Sequence, residues 1–156
     1  MKSLPKLIFA IAICQLTGII GSVFTINSIP TWYAHLNKPS FSPPNWIFGP
    51  VWTLLYLLMG ISVYLIWSKG LKKKSIKSAL KLFLVQLALN FIWTPIFFGL
   101  RSLEFGLIVI VAMWIYIFLT IKSFYLISKL AAYLLIPYLL WVSFATILNA
   151  SLVLLN

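Results

Sequence analysis

An all-α integral membrane bundle of five transmembrane helices is the fold class that this sequence predicts, and three observations predict it. Hydrophobic residues make up 63% of the 156 residues, against about 45–50% apolar in soluble chains, and mean hydropathy is +1.08. Charged residues are only 8%, too few to cover a water-soluble globule. Uncharged apolar runs then recur five times, each near the roughly 20 residues that cross a bilayer core of about 30 Å. Finally, 12 Lys and Arg stand against one acid, Glu104, and the basic residues flank the runs. On a soluble chain a net charge of +11 would suggest nucleic acid. Beside this apolar excess it reads as basic flanks to membrane spans, with the lipid bilayer as partner and no nucleic acid.

The runs fall at residues 7–26, 46–68, 82–100, 105–121 and 130–155. Lys2 and Lys6 precede the first, as in a signal peptide, but its length exceeds the usual apolar segment of about 7–15 residues. It reads as a retained helix, with cleavage the alternative. Ala10, Cys14, Gly18 and Ser22 recur every four residues along it, a ridge of small side chains that lets a second helix approach closely, within or between protomers. Residues 28–45 form an external loop. Pro39, Pro43 and Pro44 fix backbone dihedrals and keep their predecessors out of helix, so the loop is expected to hold its shape without secondary structure of its own, like a lid. The fourth run is short and extends past Lys122, whose stem can snorkel. Short connections after the third and fourth runs make antiparallel neighbours. Pro50, Pro95 and Pro137 are expected to bend their helices and free carbonyls. With no linker and no internal repeat, residues 1–156 read as one domain.

Orientation follows from the basic residues. Lys2, Lys6, Lys69, Lys72, Lys73, Lys74, Lys77, Lys81, Lys122 and Lys129 share one side, and only Lys38 and Arg101 the other. The positive-inside rule puts the N-terminus in the cytoplasm and the C-terminus outside, in a plasma or inner membrane. Conventional catalysis is nearly eliminated by counting. With one His, one acid and one Cys there is no carboxylate pair, no His–carboxylate metal cage and no Ser-His-Asp triad. Neither catalytic residues nor a metal site are expected, and His35 reads as a solvated loop residue.

Polar side chains inside a bilayer are costly unless paired or facing a cavity. Gln86, Asn90 and Trp93 share one face of the third span. Trp141, Ala145 and Asn149 share one on the fifth, and Trp52 and Tyr56 one on the second. Facing inward, they would line a cavity with aromatic walls and a few hydrogen-bonding groups, suited to a flat, largely apolar ligand. Gln86 and Asn149 fit equally well as partners bonding across helices. Trp46, Trp67 and Trp114 read as an interfacial aromatic belt. Trp32, Trp52 and Trp93 fit a belt less well, because they cluster with the polar residues.

Trp32-Tyr33, Leu36, Lys38-Pro39, Pro43-Pro44, Trp46, Phe48, Pro50-Val51-Trp52-Thr53 and Tyr56 together resemble the signature of the TspO/MBR family of translocator proteins and tryptophan-rich sensory proteins. Gln86, Asn90, Trp93, Pro95 and Phe97-Phe98-Gly99 resemble its third helix. Pro137-Tyr138, Trp141, Phe144-Ala145-Thr146 and Leu148-Asn149 resemble its fifth. Three motifs in order at matching spacings cover nearly the whole chain.

The resemblance implies five spans, often in a homodimer, and a cavity beneath the first loop. Family members bind porphyrins there, and some bind sterols or synthetic aromatic ligands. It implies a receptor or translocator for tetrapyrroles, acting in transport or stress sensing, with light- and oxygen-dependent porphyrin breakdown as the alternative. The expected ligand-binding residues are Trp32, Tyr33, Lys38, Trp52, Tyr56, Asn90, Trp93, Trp141 and Ala145. Lys38 is placed near a porphyrin's propionates, and no cofactor is obligatory. Sterol-handling members carry a Leu-Tyr-Lys pattern at the end of the fifth helix, where residues 149–156 have no Tyr or basic residue. The same loose pattern occurs instead at Leu58, Tyr64 and Lys69 and at Leu119, Tyr125 and Lys129.

Overall fold

The computed structural model describes residues 3–156, so Lys2, counted above among the basic flanks, lies outside the described residues. Helix α1 spans Leu4–Thr31, α2 Phe48–Trp67, α3 Lys74–Thr94, α4 Leu103–Tyr125, α5 Lys129–Leu134 and α6 Ile136–Leu155. No strand occurs among the described residues. Five helical units are long and apolar enough to cross a membrane, α5 and α6 together making the fifth. The expected all-helical bundle of five spans is what the chain forms.

The ends of the helices differ from the expected spans because charge does not end a helix. Helix α1 runs on to Thr31 with Pro30 in its last turn. There Ser28 Oγ donates to the Phe98 carbonyl at 2.6 Å, tying α1 to the end of α3. Helix α3 begins at Lys74 rather than 82, since its first turns carry lysines into water without losing helical bonds. Helix α4 is capped by Ser102, whose hydroxyl accepts from the Phe105 N–H at 3.2 Å. Glu104 lies in its first turn and Lys122 in its last, each complementing the helix dipole.

Two of the three prolines act as expected. After Thr94 the chain widens into a π-turn at Pro95–Gly99. Before Pro137 the fifth span breaks at Leu135, whose N–H donates to Ala132, and Ser62 Oγ satisfies the neighbouring Ala131 carbonyl at 2.7 Å. Pro50 causes no bend. It lies in the first turn of α2, where a helix has no use for the missing N–H. The loop, expected to lack secondary structure, contains two 3-10 turns, Tyr33–His35 and Asn45–Ile47. It is also pinned to the far end of the chain. The Asn37 N–H donates to Asn156 Oδ1 at 3.0 Å, and Asn156 Nδ2 donates to the Asn37 carbonyl at 3.0 Å.

The small-residue ridge is used within the protomer. Ala10 and Cys14 are buried, and a Cβ added at Gly60 of α2 would fall 2.6 Å from the Ile11 Cα. The two backbones therefore touch over the ridge's first half. Further along α1 the helices diverge, because Tyr56 stands between them: a Cβ at Gly18 would meet its ring at 2.5 Å. That divergence opens the interior toward the loop.

Candidate functional site

The divergence of α1 from α2, the π-turn ending α3 and the face of α6 together enclose a cavity of about 650 Å³ beneath the loop. Of the expected ligand-binding residues, Tyr33, Trp52, Tyr56, Asn90, Trp93, Trp141 and Ala145 line it. Trp52 stacks on Tyr56, centroids 5.6 Å apart and planes 29° apart. Trp93 stacks on Phe97 at 4.7 Å and 26°. Phe48 bridges the loop to the bundle, edge-on to Tyr33 at 6.4 Å and to Trp141 at 6.2 Å.

The polar groups near this wall are largely bonded to one another. The Tyr56 hydroxyl donates to Asn90 Oδ1 at 2.6 Å. Asn90 Nδ2 donates to the Tyr138 hydroxyl at 2.8 Å, and that hydroxyl donates to Gln86 Oε1 at 2.7 Å. Four buried side chains on α2, α3 and α6 thus form one chain of bonds. A second relay runs from Trp93 Nε1 to Asn149 Oδ1 at 3.3 Å, and from Asn149 Nδ2 to the Leu103 carbonyl at 2.9 Å. Gln86 therefore bonds across helices beneath the cavity, whereas Asn149 both bonds across helices and lines the wall. Among the described residues, Trp141 Nε1 is a buried polar atom of the wall without a hydrogen-bond partner, whereas the Tyr33 hydroxyl lies beside that of Ser42. Such orphans are rare, and each costs about 1–3 kcal/mol.

Two expected site residues lie elsewhere. Trp32 is not on the cavity wall; it stands edge-on to Phe97 and Phe98, at 5.6 and 6.3 Å, on the outside of that cluster. Lys38 folds back on its own loop. Its ammonium donates to the Ala34 and Leu36 carbonyls at 3.2 and 3.4 Å and sits 4.9 Å from the Tyr33 ring centroid. It braces the lid and does not reach the cavity. The belt assignment also changes in part. Trp114 Nε1 donates to Ser143 Oγ at 2.7 Å, joining α4 to α6. Trp46 is 74% exposed and stands at the cavity's rim, whereas Trp67 packs with Phe9 and Lys6.

Sequence reasoning missed Tyr138 as the centre of the polar chain, although it lies three residues before Trp141 and seven before Ala145, on the same face. Gly18 and Gly21, singled out or passed over as ridge residues, are cavity wall. The rim is apolar and faces outward between α1 and α2, where Ile19, Ile26 and Trp46 are exposed. Gln15 Nε2 closes its lower edge by donating to the Thr53 carbonyl at 3.0 Å. His35 is exposed on the loop, and among the described residues no three His, Cys, Asp or Glu side chains gather.

The TspO/MBR family model matches residues 10–155. The chain is 48% identical to the tryptophan-rich protein TspO of Archaeoglobus fulgidus over 151 residues, 97% of each chain. It is 43% identical to the tryptophan-rich protein TspO of Chlorobaculum tepidum over 155 residues, 99% of this chain and 98% of that one. To the translocator protein of Homo sapiens it is 43% identical over 132 residues, 83% of this chain and 78% of the relative.

Proposed function

The chain belongs to the TspO/MBR family, and on that premise we propose that it is a membrane receptor or translocator that takes a porphyrin, or a similar flat hydrophobic molecule, into the cavity beneath its first loop. The observation that carries this reading is the wall itself: two stacked aromatic pairs and Trp141 around about 650 Å³ of space. That volume lies within the roughly 300–1,000 Å³ of small-molecule sites. Broad ring faces attract a conjugated macrocycle by dispersion and offset stacking. Because Tyr56, Asn90 and Tyr138 already satisfy one another, a ligand enters without breaking their bonds. The N–H of Trp141 remains as a donor to a ligand's acceptor atom after a small shift of the ring. A ligand dissolved in the bilayer enters sideways across the apolar rim between α1 and α2. Oxidative breakdown of the ligand has no observation in its favour.

The lysine-rich end, where α2 meets α3 and α4 meets α5, lies in the cytoplasm of a plasma or inner membrane, with the lid outside. An impermeant maleimide added outside should then label Ser40→Cys and spare Ser75→Cys; the reverse pattern would invert the topology. The homodimer uses a face other than the first half of the small-residue ridge, which α2 occupies.

Titration of the purified protein with protoporphyrin IX tests the binding reading. Tryptophan emission should be quenched saturably at one ligand per chain. Trp52→Ala and Trp141→Ala should each weaken binding about tenfold, since an aromatic contact contributes about 0.5–1.5 kcal/mol beyond its buried area. Titrations identical to the parent in both variants would overturn it.

A further inference from the structure

A second concavity lies at the opposite, lysine-rich end of the bundle, where the last turns of α4 meet α5 and the start of α6. It is a shallow, open trough walled by Leu119, Lys122, Tyr125, Leu126, Tyr133 and Ile136. It shares no lining residue with the cavity beneath the loop. Its side chains are sorted by chemistry. Leu119, Leu126 and Ile136 are exposed hydrocarbon at 38%, 87% and 38%, while Tyr125 and Tyr133 pack together at 6.1 Å.

Two cations sit beside the trough. The Lys122 ammonium lies 5.8 Å from the Phe118 ring centroid, and the Lys129 ammonium 5.6 Å from that of Tyr125. Phe118, Lys122 and Tyr125 are spaced by four and three residues on α4, so both rings and the Lys122 side chain lie along one face, and Lys129 reaches the Tyr125 ring on that face from the start of α5. Neither charge has a carboxylate side chain to pair with. The chain's one acid, Glu104, is in the first turn of α4 and Lys122 in the last, about 27 Å apart along the axis at about 1.5 Å per residue. Cation–π contacts hold the ammonium groups in place and leave their charge uncancelled.

We propose that this trough is a specific site for an anionic glycerophospholipid of the adjoining leaflet. Its phosphate is held by Lys122 and Lys129, its glycerol region lies against Ser123 and the two tyrosines, and an acyl chain runs from there along Ile136 and Leu119 toward the bilayer interior. Charge complementarity selects this occupant. A zwitterionic lipid brings a cation of its own to a site that already has two, and a sterol offers a single neutral hydroxyl. The Leu119, Tyr125 and Lys129 spacing that matches the loose sterol pattern is thus assigned to a phospholipid.

Native mass spectrometry of the full chain, released from micelles after incubation with equimolar palmitoyl-oleoyl phosphatidylglycerol and phosphatidylcholine, tests the site. One phosphatidylglycerol per chain should be retained, preferred by about tenfold or more, as two lysines at a membrane surface predict. Lys122→Gln with Lys129→Gln should bring the ratio to near parity, and Lys122→Arg with Lys129→Arg should restore it. Unchanged protoporphyrin titration in both double variants establishes that they are folded. Parity in the parent protein, an unaltered preference in the glutamine variant, or displacement of phosphatidylglycerol by equimolar cholesterol would each overturn the proposal.

Discussion

Ala145→Trp is expected to lower protoporphyrin affinity by about hundredfold or more, equivalent to about 2.7 kcal/mol, while leaving the protein folded. Ala145 lies on the cavity wall one helical turn beyond Trp141, and its small side chain leaves the recess beside that ring. An added indole projects into existing space rather than into packed core. The usual overpacking cost of about 1–3 kcal/mol should therefore be largely absent, and the new ring should occupy the ligand's volume. The same protoporphyrin titration, accompanied by thermal unfolding in detergent, checks both halves. Binding at the parent's affinity by a folded Ala145→Trp protein would place the ligand elsewhere.

Tyr138→Phe should have the largest effect on stability. The Tyr138 hydroxyl is the middle of the polar chain, accepting from Asn90 and donating to Gln86. The ring is completely buried, and both partners are at most 3% exposed. Removing one oxygen orphans an amide N–H and an amide carbonyl in an apolar interior, at about 1–3 kcal/mol per orphan in general. Interhelical bonds in membranes average nearer about 0.6 kcal/mol, so the expected loss is about 2–3 kcal/mol. Unfolding in mixed micelles of rising SDS fraction measures it. In a double-mutant cycle with Asn90→Leu the coupling should exceed about 0.5 kcal/mol. Additive losses would mean that the two residues do not act together. The second consequence is functional: once Asn90 is free to turn, Tyr56 loses the acceptor that orients its ring under Trp52, so binding should weaken as well.

These two residues mark where the sequence was legible and where it was not. Helical periodicity puts Asn90 with Trp93, Trp52 with Tyr56, and Trp141 with Ala145, because a face is a property of spacing alone. Tyr138 obeys the same spacing, but its hydroxyl is polar only in company. Its importance depends on three other helical positions meeting at one point, which no local pattern encodes. Lys38 and Trp32 show the other limit. Their loop has no period, and its path is set by long-range contacts such as the Asn37–Asn156 pair and the edge-on packing of Trp32 on Phe97. The helix ends differ from those of the expected spans for a third reason. Charges mark where a span leaves hydrocarbon, whereas caps and prolines mark where a helix stops, and Lys74–Lys81 separates the two.

The polar network also bears on how the cavity stays open. Empty apolar space in a helical bundle tends to close by side-chain and helix movement. Here the Tyr56–Asn90–Tyr138–Gln86 chain spans α2, α3 and α6, and Ser28 ties α1 to the π-turn. Both fix helix positions around the space rather than across it. On the remaining side Gly18 lies against the Tyr56 ring, which a Cβ there would displace.

The most direct test of this account is a structure of the protein in a lipidic phase with protoporphyrin IX bound. Macrocycle density should lie beneath the loop, flanked by Trp52 and Trp93 and reaching toward Trp141, with the Tyr56–Asn90–Tyr138 bonds intact. Density confined to the lipid-facing outside of the helices, around an interior closed by its own rings, would contradict it.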